Sequence, residues 1–89
     1  MPEVRLDAML KEFAARRTFS SNAATVDLLL DELEAQFPRL RFKLRDETGA
    51  LRQYVRVFVD GEDVSRSSGL ATPLTGTRSV EILHSIAGG

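Results

Sequence analysis

Residues 25–38 carry the chain's one run of helical spacing, because Val26, Leu29, Leu30, Leu33 and Phe37 recur every three or four positions and so line one stripe of an α-helix. Asp31, Glu32 and Glu34 fall on the water-facing side. Thr25 is placed to accept a bond from a free amide of the first turn, and Asp27 sits where the helix dipole favours an anion. Pro38 stops the run, since the residue before a proline avoids the α region. The spacing therefore predicts a helix over about 25–37. A lone amphipathic helix must bury its stripe against a partner, and a chain of 89 residues has room for one core. That partner has to be a sheet.

The rest of the chain supplies strands. Residues 4–9 alternate apolar and polar with period two and read as a first strand. Residues 11–17 are polar around Phe13, and residues 18–21 form a short β-prone stretch, which together predict a wide hairpin into a second strand. Residues 39–45 alternate strictly and predict a strand or extended edge segment closed by turn residues at 46–49. Residues 54–59 place Val55, Val57 and Val59 on one face, and Tyr54, Arg56 and Phe58 on the other. Asp60-Gly61 supplies a tight turn leading to Val64. A polar loop at 65–69 and an irregular connection at 70–74 precede a last alternating strand at 79–84, with Val80 and Ile82 inward. Strand pair, helix, then further strands is an α+β order in which one helix covers one face of a mixed sheet. A β-grasp fold satisfies this order, with the first and last strands as parallel neighbours. A ferredoxin-like sandwich needs a second helix, and no other segment has that periodicity.

Composition narrows the function. At this size there is little surface to spare for an internal cleft, which argues against an ordinary small-molecule enzyme. Hydrophobic residues at 43% and charged residues at 28% suit a folded soluble domain. The net charge of −1 gives no global field to gather nucleic acid or anionic lipid, so neither is expected as a partner. Without cysteine there is no disulfide, thiolate ligand or cysteine nucleophile, and any sulfur must come from elsewhere. The first ten residues lack a secretory pattern and no apolar run reaches transmembrane length, so the expected location is the cytoplasm.

Several local signals have plain explanations. The basic row Arg39, Arg41, Lys43 and Arg45 could dock on an acidic partner or phosphate, or simply be the solvated face of an edge strand. Asp60, Glu62 and Asp63 beside Gly61 lack the later ligands of a calcium loop and suit a hairpin turn, so no metal is expected. His84 is the only histidine and has no histidine or cysteine partner. Ser65, Ser67 and Ser68 lack a nucleophile-elbow context.

The chain closes on Ile86-Ala87-Gly88-Gly89 directly after the last predicted strand. Two final glycines arise by chance in about one sequence in 200. With the stretch Leu70-Ala71-Thr72-Pro73-Leu74, Gly76, the strand Val80-Glu81-Ile82-Leu83 and the hairpin around Asp60-Gly61, this ending resembles the MoaD/ThiS family of ubiquitin-like sulfur carriers, most of all its CysO-like branch. Two positions depart from the family pattern: His84 stands where a proline is frequent, and Thr77 follows Gly76 where an aspartate is frequent.

The resemblance implies a β-grasp domain over 1–85 with a flexible tail at 86–89. It implies that the Gly89 carboxylate is adenylated by an E1-like, ATP-using enzyme, converted to a thiocarboxylate, and used to hand sulfur to a biosynthetic enzyme. The chain would then be carrier and co-substrate, with no side-chain catalysis and no resident cofactor. Ile86, Ala87 and Gly88 would thread the tail into the partner's site, where a backbone without Cβ atoms fits a narrow channel. Phe58 and Leu83 are expected to point away from the helix and form an apolar partner-binding patch. The sequence leaves two other readings open: a ubiquitin-like modifier joining Gly89 to lysines, and a β-grasp interaction module with an inert tail.

Overall fold

A computed structural model describes residues 1–14 and 17–84. Five strands form one sheet: β1 (Glu3–Leu6), β2 (Thr18–Ser20), β3 (Val55–Val59), β4 (Glu62–Asp63) and β5 (Ser79–His84), in the order β2-β1-β5-β3-β4. The central pair β1 and β5 runs parallel, with Val4 opposite Val80 and Leu6 opposite Ile82, while the other pairings are antiparallel. Helix α2 (Val26–Gln36) lies across one face. This is the β-grasp arrangement that the element order predicts.

Helix α2 follows its sequence signals closely. Thr25 caps it, its hydroxyl accepting from the Leu28 amide at 3.3 Å, and Pro38 opens a 3₁₀ turn at Pro38–Leu40 instead of continuing the helix. Val26, Leu29, Leu30 and Leu33 are buried against Val4, Leu6, Val55, Val57, Val80 and Ile82, and Phe37 is half-buried as the C-cap. Burying each such side chain stabilises by about 1.5–3 kcal/mol relative to exposure, which makes this interlayer the main support of the fold.

Two of the strand expectations fail. The first strand stops at Leu6: Asp7 caps a one-turn helix α1 (Ala8–Lys11), so residues 7–9 are not strand. Leu6, Leu10 and Ala14 recur every four residues and all are buried, a spacing that a helical turn satisfies and a strand does not. Residues 39–45 likewise form no strand. Leu40 and Leu44 are four apart and both buried, so the segment turns back on itself, with Phe42 in a left-handed conformation at φ 65°. The loops at 65–69 and 70–74 contain short 3₁₀ turns at Val64–Arg66 and Gly69–Ala71.

The same turn carries Arg45 inward, where its side chain is 11% exposed and meets Asp27 and Asp31 at 2.7 Å and Glu34 at 2.9 Å. Hydrogen bonding to Glu34, chiefly, raises the guanidinium pKa further above its already high value against the opposing effect of burial. Arg45 is thus no member of a solvated basic row. It fastens the turn to the acidic face of α2, which is correspondingly more than a solvated surface.

Candidate functional site

The tail residues Ile86, Ala87, Gly88 and Gly89 lie outside the described residues, as does the boundary expected at 85–86. What the structure does place is the platform before them. Strand β5 sits in the middle of the sheet and is fixed at both ends by aspartates. At its start, the Asp60 carboxylate accepts from the amides of Arg78 and Ser79 at 3.0 and 2.9 Å. Asp60 and Gly61, at φ 49° and 86°, form the left-handed pair of a type I′ turn, whose twist matches the two strands it joins. At its finish, Asp7 holds two elements with one carboxylate: one oxygen accepts from the Leu10 amide at 2.9 Å and the other from the His84 amide at 2.6 Å. Helix α1 and the last residue of β5 therefore share one anchor, 77 positions apart in the chain.

The carboxylates beside Gly61 serve the fold. Asp60 is used as described, Glu62 accepts from the Ser67 hydroxyl at 2.7 Å, and Asp63 accepts from the Ser65 amide at 2.9 Å. That amide, above all, holds the Asp63 carboxyl below its ordinary pKa. Among the described residues no group of three or more carboxylates and histidines is arranged to hold a metal ion. Ser65 donates its amide to the Asp63 carboxylate and Ser67 its hydroxyl to the Glu62 carboxylate.

Phe58 and Leu83 stand on the sheet face opposite α2. The register puts Phe58 across from Glu81 and Leu83 across from Arg56, so the two are diagonal neighbours on the outer face. Phe58 is half-buried and Leu83 is 36% exposed. Their strand partners Arg56 and Glu81 make the surroundings charged.

A second cluster, not legible in the sequence, surrounds the end of β5 on the helix side. Met9, Leu10, Phe13, Phe42, Lys43, Arg52, Tyr54 and His84 line a hollow there. Tyr54 therefore does not share the outer face with Arg56 and Phe58 as the alternation predicts, because β3 starts only at Val55 and Tyr54 packs against the core. The rings of Tyr54 and His84 lie 4.8 Å apart, and the buried Nδ1 of His84 has no hydrogen-bond partner among the described residues. A smaller hollow, between Pro2, Asn22, Leu74 and Thr77, sits at the other end of β1 and β5, a sheet length away from His84.

With this geometry in view, the comparisons with known proteins agree. The ThiS family profile matches residues 4–89. The sulfur carrier protein CysO of Mycobacterium tuberculosis is 34% identical over 76 residues, which cover 83% of this chain and 82% of that protein. Its crystal structure superposes with a TM-score of 0.85 over 97% of this chain and 100% of CysO. A chain of the Amycolatopsis orientalis BexX/CysO complex gives 0.86 at 26% identity, with both chains fully covered. Small archaeal modifier protein 1 of Methanosarcina acetivorans also gives 0.86, covering 98% of this chain and 94% of that one, but at 22% identity it speaks to the fold alone. A match that runs through nearly the whole chain, joined to the five-strand sheet and single main helix, places this protein in the ThiS family, among its ubiquitin-like, CysO-like sulfur carriers.

Proposed function

We propose that this chain carries sulfur on the carboxylate of Gly89. The carboxylate oxygen attacks the α-phosphate of ATP in the site of an E1-like enzyme, pyrophosphate leaves, and an acyl adenylate forms. A sulfide-level sulfur nucleophile then attacks the carbonyl and displaces AMP, leaving a thiocarboxylate whose sulfur passes to a biosynthetic enzyme. The protein supplies no catalytic side chain and needs no resident cofactor; ATP belongs to the partner's reaction. One observation carries the reading: the family match extends through the last two residues, so Gly88 and Gly89 fall inside the length that ThiS proteins share. Proteins of the ThiS and CysO type are small substrate carriers rather than enzymes, which fits a chain of this size.

Strand β5 supports the proposal mechanically. Because it is paired on both sides and anchored by Asp7 at its end, the point from which the tail departs is fixed, while glycines at 88 and 89 leave the threading segment free of side chains. Phe58 and Leu83 on the outer face are the proposed contact surface for the activating enzyme. A cytoplasmic location suits a reaction that consumes ATP, and no helix among the described residues is long and apolar enough to cross a membrane.

Intact mass spectrometry tests this directly. Incubation with an E1-like adenylating enzyme, ATP and a sulfur source is expected to exchange one oxygen for sulfur at the terminus, and the chain ending at Ala87 is expected to stay unmodified. No mass change in the full chain with any such enzyme overturns the proposal, and lysine-linked adducts in its place would assign the chain to protein modification.

A further inference from the structure

The hollow at the end of β5 combines three features that its role in folding does not explain. It is apolar and exposed, with Met9 41% and Phe42 53% accessible beside Phe13 and Tyr54. It is ringed by cations. Arg39 and Lys43 lie over the Phe13 ring at 5.4 and 5.0 Å, Arg41 lies 5.6 Å from the Phe42 ring centre, and Arg52 donates to the Phe42 carbonyl at 2.8 Å. Among the described residues no carboxylate comes within ion-pairing distance of these four, whereas Arg45 a few positions away gathers three. Finally, Phe42 is presented in a left-handed conformation that a bulky L residue adopts only at a cost, with more than half of its surface still exposed. A charged edge strand guarding against aggregation would account for the basic row, but there is no strand here.

We propose that this hollow is a second docking surface, and that it seats an aliphatic side chain flanked by aspartates or glutamates on the activating enzyme. The proposal rests on the sulfur-carrier reading above. Its charge identifies the occupant: Arg39, Arg41 and Lys43, which make no ion pair among the described residues, together with Arg52, which acts at longer range on Asp46, surround an apolar seat and complement an acidic segment with one apolar anchor. Its position identifies the protein that provides that segment. His84 lines the hollow and stands five residues before Gly89 in the sequence, so an enzyme that receives Gly89 works within a few residues' reach of it. The surface lies on the helix side of the sheet, opposite Phe58 and Leu83, so the enzyme would hold the base of the tail from both faces. The local positive field on a chain of net charge −1 would also orient the encounter.

Carrier-dependent ATP–pyrophosphate exchange by the adenylating enzyme, followed as a function of carrier concentration, separates docking from chemistry. Met9→Ala with Phe42→Ala is expected to raise the KM for the carrier about tenfold or more while leaving kcat within about twofold. Arg41→Glu with Lys43→Glu is expected to raise KM as well, and the gap from the parent chain should narrow as salt is added. Amide NMR spectra that match the parent away from the substituted positions show that both variants fold. An unchanged KM for either pair overturns the proposal, as does self-association of the parent chain that the Phe42 substitution abolishes, which would give the hollow to a second copy. A parent chain that drives no exchange with any adenylating enzyme is a different result: it removes the carrier reading itself.

Discussion

Phe42 and Asp63 illustrate single residues held by unequal forces. A left-handed L residue costs about 1–2 kcal/mol, and Phe42 recovers part of that through the buried portion of its ring. Phe42→Gly removes the backbone cost, loses the ring's contacts and adds unfolded-state entropy. These terms nearly cancel, so the urea midpoint should shift by less than the equivalent of about 1 kcal/mol; a loss near the 3–5 kcal/mol of a deleted core aromatic would show that the ring is a core anchor instead. Asp63 works through its charge. Its folded-state pKa is depressed, so its stabilisation is present above the unfolded value of about 3.9 and is lost as the pH falls through the lower folded value. The parent should therefore exceed Asp63→Asn in stability at neutral pH by a small margin, given the exposure of the site, and the two unfolding curves should converge in strong acid. A gap that stays constant with pH would mean that the turn, not the charge, is responsible.

Among the elements, α1 shows how much one side chain can join. Removing the Asp7 carboxylate takes away the cap of α1 and the hold on the His84 amide together, and hydrogen bonds to charged groups contribute about 1.5–3 kcal/mol each in favourable settings. Asp7→Ala is expected to cost about 2–4 kcal/mol and to raise amide exchange most at Leu10 and His84; faster exchange at Leu10 alone would restrict Asp7 to capping. This element was hard to read because Val4, Leu6 and Ala8 satisfy a period of two as well as Leu6, Leu10 and Ala14 satisfy a period near four, and a run this short cannot separate them. Residues 39–45 failed for a related reason: Leu40, Phe42 and Leu44 share a parity, but Phe42 is exposed and the other two are buried. Helix α2, the Asp60-Gly61 turn and β5 were legible because each has its own local signal, a cap and a proline, a left-handed pair, or an uninterrupted alternation. The outer-face position of Phe58 and Leu83 followed from that alternation. The hollow could not, since residues 9–13, 42–43, 52–54 and 84 meet only once the chain has folded.

For the molecule as a whole, the proposed carrier role predicts that stability and reactivity separate. The core lies between α2 and the inner faces of β1, β3 and β5, and Ile82 is fully buried at its centre with Val57 opposite. A chain of this length has about 4–13 kcal/mol of stability in all, and Ile82→Ala should remove about 2–5 of it. Gly88 and Gly89 have no side chain to bury, so deleting them takes away no apolar contact and should leave the melting temperature where it was. The expected pattern is a double dissociation. The chain ending at Ala87 melts like the full chain yet is no longer adenylated, while Ile82→Ala melts at a lower temperature and, at a temperature where it is still folded, is adenylated at the parent's rate. Calorimetry paired with pyrophosphate exchange on both variants checks it. A truncated chain that is still activated would move the reactive group elsewhere, and a folded Ile82→Ala chain that is activated slowly would mean that the core reaches into the chemistry through β5.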